Sequence, residues 1–276
     1  MEKKDLEKIE LDLMLEAIVR RYGYDFRNYS KASMERRVKQ AKVKLGCAEI
    51  TDLTRNLLHD SVFFQKLVSD FSITVTEMFR DPEVYKTLRE KVLPYLATYP
   101  FIKVWHAGCA TGEEVYSFAI LLHEEGLLER TTIYATDFNE DALSTARQGI
   151  FSIDRTKEYA ENYRKSGGKA SLSEYFHAQY DSIVMANSLK KNITFARHNL
   201  VTDQVFGEMH LILCRNVLIY FDRTLQERVF RLFSESLIHN GFLCLGSKES
   251  LKFSTIVSEF NEYEKRHKIY QKKSSL

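Results

Sequence analysis

No stretch of about 18 consecutive apolar residues occurs anywhere in the 276-residue chain, which excludes an obvious membrane-spanning helix. The opening segment, MEKKDLEKIELDLMLEAIVRR, is charged every few residues where a secretory signal would need an apolar centre. A cytoplasmic protein is therefore expected. Cysteine is also scarce: Cys47, Cys109, Cys214 and Cys244 show no paired spacing, and neither they nor the eight histidines form a metal-ligand cluster. Reduced thiols and no structural metal follow. Net charge is nearly absent, at +2, so the chain has no polyelectrolyte character and no nucleic-acid partner is expected. Low-complexity segments and internal repeats are lacking too, which argues against disorder and against a solenoid.

What remains is a length sufficient for one large α/β domain and a small satellite. Residues 1–70 read as helical. Ile9, Leu13, Ala17 and Val19 sit at near-helical spacing, a second helix runs from about Ser33 to Leu45 before Gly46, and further helical signals lie in Asp52–Leu58 and Val62–Val68. At FSITVTEMFRDPEVY the character changes to β-branched residues, and Asp81-Pro82 opens a new helix. The domain junction is placed there, giving domains 1–70 and 71–276.

From residue 101 short apolar runs alternate with helical stretches. Candidate strands are Ile102–His106, Thr132–Thr136, Ile193–His198, Leu211–Cys214 and Phe242–Leu245, with helices after Gly112, Asn139 and Asp222. The fold class is α/β, with a mostly parallel, doubly wound sheet. Between about 159 and 195 the alternation breaks at a SerGlyGly turn and short β-like runs near Gln179–Met185, which predicts a small inserted antiparallel β subdomain. The segment FNEYEKRHKIYQKK predicts an antiparallel ribbon closing the sheet edge.

Chemistry concentrates in VWHAGCATGEEVYSFAILL, a strand running into Gly108 and Gly112 and then a helix that opens on Glu113 and Glu114. Glycines let backbone approach a ligand, but the lysine-serine pair of a phosphate loop is missing. Acids at a helix start repel phosphate and accept an ammonium group, which suits S-adenosylmethionine better than a nicotinamide cofactor. A tight turn capped by acids is the plainer alternative. Asp137 ends the next strand, where doubly wound folds place a ribose-binding acid, or else it caps a helix for which Asn139 is the better cap.

With these features stand the blocks GYDFRNYSKASMERRV, TEMFRDPEVY, GCATGEEVYS, ATDFNEDALSTARQGIF, FARHNL, LILCRNVLIYFDRTLQERVF and GFLCLGSKESL. In that order they resemble the CheR-type chemotaxis-receptor methyltransferases over nearly the whole chain. The resemblance implies an all-helical N-terminal domain, a class I S-adenosylmethionine-dependent methyltransferase domain of Rossmann-like type and a small β subdomain inserted in it. It also implies methyl transfer from S-adenosylmethionine to glutamate carboxylates of a chemoreceptor-like signalling protein, for sensory adaptation, with S-adenosylhomocysteine as product.

The family's cofactor contacts, carried over by resemblance, fall on Thr76, Arg80, Glu114, Asp137, Asn199, Leu200, Arg215 and Asn216, with Gly108 in the loop. Tyr220 takes the position near the reacting methyl, and Arg80 is the second candidate in catalysis. Thr74 stands where many members have asparagine, so its contact is less secure, and Met78 replaces a common aromatic. Residue by residue, plainer roles exist: Asn199 as a turn former, Leu200 as core, Arg215 as a structural ion pair. Lys31, Arg36, Arg37, Lys39, Lys42 and Lys44 form a basic segment that is either a solvated helix face or, as the resemblance suggests, a docking surface for an acidic receptor through Arg36, Arg37 and Lys39. The protein would then be a monomer that meets a membrane only through a receptor. Two rivals remain: a methyltransferase of this fold with another substrate, and a catalytically silent cofactor-binding signalling module.

Overall fold

Segments whose apolar residues recur every three or four positions bury one stripe against each other, and the N-terminal part does so four times. The computed structural model describes residues 3–71 and 76–274, so the Thr74 assignment lies outside the described residues. Helices α1 (Lys3–Tyr22), α2 (Lys31–Lys44), α3 (Ile50–His59) and α4 (Ser61–Phe71) belong to one of two compact units, Met1–Ile73 with Leu218–Val229. Its core holds Met14, Ile18, Met34, Leu53, Leu57, Leu67 and Phe71. The stripe that α1 buries is Leu11, Met14, Leu15 and Ile18, whereas Ile9 is 47% and Leu13 61% exposed. The face expected from Ile9 and Leu13 is thus the outer one. Leucines at 11 and 15 make an equally good helical stripe, and packing against α3 selects it.

Leu218–Val229 joins this unit through backbone pairing that no local pattern announces. Ser30 N donates to Tyr220 O at 2.8 Å, Asp222 N donates to Asn28 O at 2.9 Å, and Tyr29 bridges Phe221 with their rings 4.9 Å apart.

The second unit, Thr74–Val217 with Phe230–Leu276, is built on a seven-stranded sheet. The strands of the chain are β1 (Ile102–Ala107), β2 (Thr131–Asp137), β3 (Ile150–Ser152), β4 (Phe176–Gln179), β5 (Ser182–Met185), β6 (Ile193–Arg197), β7 (Met209–Cys214), β8 (Leu237–Leu245), β9 (Phe260–Glu264) and β10 (Ile269–Lys272). The large sheet runs β6-β2-β1-β7-β8-β10-β9. Its first five strands pair in parallel, and β10 lies antiparallel to both β8 and β9. The central strands β1 and β7 are buried at nearly every position, as their continuous apolar runs require when helices cover both faces. Chain order reverses between β1 and β7, so a crevice opens at their C-terminal ends.

The small antiparallel sheet, β3-β5-β4, begins at Ile150, ahead of the expected start near residue 159. Three residues are too few to show a period, so β3 carries no local signal in the sequence. The SerGlyGly turn follows the helix Thr156–Lys165; Gly167 takes φ +80°, and a Cβ on Gly168 would lie 2.3 Å from the Tyr163 ring. Among the described residues no helix is long and apolar enough to cross a membrane.

Candidate active site

The turn after β1 is shaped by two glycines, both at positive φ, where any side chain would be strained. Gly108 has φ +78° and a Cβ there would lie 2.6 Å from Val217; Gly112 has φ +94° and a Cβ there would meet Ala146 at 2.9 Å. Gly108 and Cys109 both donate backbone N–H groups to Thr136 O, at 2.8 and 2.9 Å, which ties the turn to the end of β2. The helix Glu113–Glu124 starts immediately afterwards.

Its two acids part company. Glu113 is turned to the Thr111 hydroxyl, which donates to it at 2.5 Å, and burial pushes its carboxyl above the usual range. Glu114 is clamped on both oxygens: His106 Nδ1 lies 3.2 Å from Oε1, and Arg215 Nη1 donates to Oε2 at 2.9 Å. Burial works against its charge, but the His106 hydrogen bond and the Arg215 cation prevail and hold its pKa below the ordinary carboxylate value. The Glu114 side chain keeps 17% of its surface open.

Arg215 itself is sealed, with 1% of its side chain exposed. Its Nη2 donates to Asp81 Oδ2 at 2.8 Å and to Arg80 O at 3.0 Å, so it spans the segments after β7, around Asp81 and at the helix start. Arg215 thus forms ion pairs with Glu114 and Asp81. Arg80, whose carbonyl it holds, makes no side-chain hydrogen bond or salt bridge to a described residue.

Asp137 ends β2 with Oδ1 accepting from Asn139 N and Oδ2 from Ala110 N, both at 2.9 Å. Burial raises its pKa above the ordinary aspartate value, and the N–H groups of Asn139, Ala110 and Phe138 offset that only in part. Asn139 caps the following helix, accepting from Asp141 N and Ala142 N, so the cap is Asn139. Asn199 closes its own turn: its side chain accepts from Val201 N at 3.0 Å, and its N–H donates to Asp203 at 2.9 Å. Leu200 is buried.

The TEMFR segment is held from the inserted region, where Arg155 Nη1 donates to Thr76 O at 2.6 Å and Asn162 Nδ2 to Met78 O at 3.3 Å. Met78 is fully buried, and Phe79 and Asp81 take φ of 54° and 56°. Three residues with no assigned role complete the crevice. His106 and Asp81 flank Glu114 and Arg215 as described. Glu249 accepts backbone N–H groups from Gly246, Asn216 and Val217 at 2.6, 3.1 and 2.9 Å, and so holds Asn216 at φ +61°. Asp81 and Glu249 stand inside the quoted blocks TEMFRDPEVY and GFLCLGSKESL.

Tyr220, assigned near the reacting methyl, belongs to the helical unit. Tyr220 packs beneath Arg37, whose guanidinium lies 4.7 Å from the ring centroid. Arg37 is only 4% exposed, which removes it from any docking surface, while Arg36 and Lys39 are exposed.

Residues 74–269 match the family described as "CheR methyltransferase, SAM binding domain", and residues 9–72 match "CheR methyltransferase, all-alpha domain". Over 96% of this chain and 97% of the relative, the sequence is 52% identical to the "Putative methyltransferase Cher3" of Pseudomonas putida. It is 30% identical to the "Chemotaxis protein methyltransferase" of Listeria monocytogenes over 90% of this chain and 92% of that one. The protein of the same name from Salmonella typhimurium is 31% identical over 73% and 68%. Two family matches that together run from residue 9 to residue 269, on a sheet with the crevice such a domain needs, establish that this chain belongs to the CheR methyltransferase family.

Proposed function

We propose that the protein methylates glutamate side-chain carboxylates of a chemoreceptor-like signalling protein, using S-adenosylmethionine. The observation that carries this reading is Glu114: a carboxylate held ionised and partly open at the head of a glycine turn fits an ammonium group and disfavours a phosphate. Asp137 adds an acceptor at the end of the neighbouring strand, suited to ribose hydroxyls. Gly108 lets the turn pack directly against Val217, where a Cβ would clash. The donor set therefore fits S-adenosylmethionine.

In this reading Glu114 receives the amino group and Asp137 the ribose. Thr76, Asn199, Leu200 and Asn216 line the remainder, and Arg215 acts by holding Glu114. When bound, S-adenosylmethionine supplies a methyl group activated by its sulfonium. The acceptor glutamate, with an unperturbed pKa of about 4.3, is already a carboxylate at neutral pH and needs no base from this chain. With the cofactor held by Glu114 and Asp137, its methyl would pass to one oxygen of the acceptor carboxylate, and the electron pair of the C–S bond would remain with sulfur. The chain's contribution is to hold nucleophile and methyl in line, an effect worth about 7–11 kcal/mol in favourable systems. Arg80 is assigned to orienting groups at the reacting centre, and Tyr220 keeps the role in the chemical step that the family resemblance gives it. Exposed Arg36 and Lys39 suit an acidic receptor surface by steering.

Transfer of labelled methyl from S-adenosylmethionine into receptor-bearing membranes tests the proposal. Label on a receptor that mild alkali releases as methanol is expected. Alkali-stable label, or none, would overturn it.

A further inference from the structure

The geometry points to His106 as a positioning residue that aims Glu114 at the amino group of the cofactor. This rests on Glu114 being the acceptor for that group. His106 lies on β1, a central strand whose neighbouring positions are buried and apolar, and it is itself 1% exposed. Its ring meets Phe118 edge-on, with centroids 5.5 Å apart. Nδ1 faces Glu114 Oε1 at 3.2 Å, and Nε2 finds no hydrogen-bond partner among the described residues.

An ionised carboxylate accepts only, so Nδ1 carries a proton, and Nε2 stands buried without a hydrogen-bond partner among the described residues. A buried nitrogen without a partner is costly, and an apolar side chain would fill this strand position without that cost. The interaction with Glu114 is the one feature that offsets it.

Arg215 explains why a second donor is needed. Its guanidinium is a planar fork that tends to take both oxygens of a carboxylate. Here it reaches Glu114 through Nη1 alone, while Nη2 is engaged by Asp81 and Arg80 O. With His106 on Oε1, the carboxylate is shared between two donors from two strand ends, and its plane is fixed. Without His106 the long Glu114 side chain is free to turn wholly onto Arg215 and away from a ligand.

Calorimetry with two probes tests this: S-adenosylhomocysteine, which carries the amino-acid end, and 5′-methylthioadenosine, which lacks it. His106→Leu should weaken S-adenosylhomocysteine about 10-fold, the worth of a charge-assisted hydrogen bond, and change 5′-methylthioadenosine less than about 2-fold. His106→Asn, whose Nδ2 falls where Nδ1 stands, should restore binding to within about 3-fold of the parent. His106→Gln, with its amide displaced toward the Nε2 position, should bind like the leucine variant, and it serves as the polar comparison if leucine fails to fold. In the His106→Leu, Glu114→Gln double variant, S-adenosylhomocysteine should bind no worse than in Glu114→Gln alone. Equal losses for both probes, no difference between Asn and Gln, or additive losses in the double variant would overturn the positioning role. If Glu114→Gln weakened both probes alike, the assignment of Glu114 to the amino end would fall, whatever His106 does.

Discussion

Each of the two units buries an arginine, and their surroundings are opposite. Arg215, in the sheet unit, is met by Glu114, Asp81 and a backbone carbonyl. Arg37, in the helical unit, lies over the Tyr220 ring, and its Nε and Nη2 find no hydrogen-bond partner among the described residues. Burial disfavours the charge of both. In Arg215 the neighbouring carboxylates outweigh burial and raise its pKa, whereas in Arg37 burial prevails and lowers it. A buried cation between carboxylates fixes charge in a defined place and so can build a site. A buried cation on an aromatic face is chiefly packing.

The sharpest way to break that comparison is to remove each cation. Arg215→Met leaves Glu114 and Asp81 without their shared partner, and uncompensated buried charge costs about 3–5 kcal/mol. Denaturant unfolding should show that loss, with Glu114→Gln added to Arg215→Met recovering part of it.

Next in size, Asp137→Ala should weaken S-adenosylhomocysteine by about 10–100-fold with the fold intact, as expected for losing hydrogen bonds to a charged acceptor. Calorimetry against pH sharpens the contrast between the two acids. Asp137, with its raised pKa, takes up a proton at a higher pH than an ordinary aspartate, so ligand affinity should fall as pH drops through that raised value. Glu114 has a lowered pKa and stays charged further into acid. For stability the signs are opposite. Glu114's contribution is full above the ordinary carboxylate pKa and is lost as pH falls through its lowered value. Ionised Asp137 is disfavoured by folding, and its protonation in acid relieves that.

Arg37→Met should change stability by less than about 2 kcal/mol, since only a cation–π contact is given up. A loss as large as that of Arg215→Met would erase the distinction. Arg36→Ala with Lys39→Ala should raise the KM for the protein substrate by about 2–5-fold and flatten its salt dependence, as screened surface charges do, while Arg37→Met leaves that salt dependence alone. Smallest in binding is Tyr220→Phe: the ring that Arg37 covers is kept, cofactor affinity should be unchanged, and single-turnover transfer should slow. Unaltered turnover would leave Tyr220 a packing residue.

Much of the sheet unit was legible because its signals are local. The runs that became β1, β2 and β7 each hold a short block of adjacent apolar residues (Val104-Trp105, Ile133–Ala135, Leu211–Cys214), as strands largely buried on both faces do. Asn139 before Glu140-Asp141 marked a helix start, and two glycines marked a turn with positive φ. In α1 two apolar stripes compete, and local period alone cannot rank them. The segment Leu218–Val229 carries no mark of the unit it joins, because its partners Asn28, Tyr29 and Ser30 are distant in sequence.

By itself the sequence determined where the chain is extended, where it turns and which residue types reach the end of each strand, because backbone sterics and hydrophobic period act over a few residues. It thus determined the parallel α/β core and the presence of acids in the crevice. Only the tertiary structure decided which acid is held charged. Glu113 and Glu114 are adjacent and chemically equal, yet Arg215 stands 101 positions from Glu114 and 134 from Asp81. Electrostatic energy depends on distance in space and on burial, and both are set by the packing of strands that the sequence lists far apart.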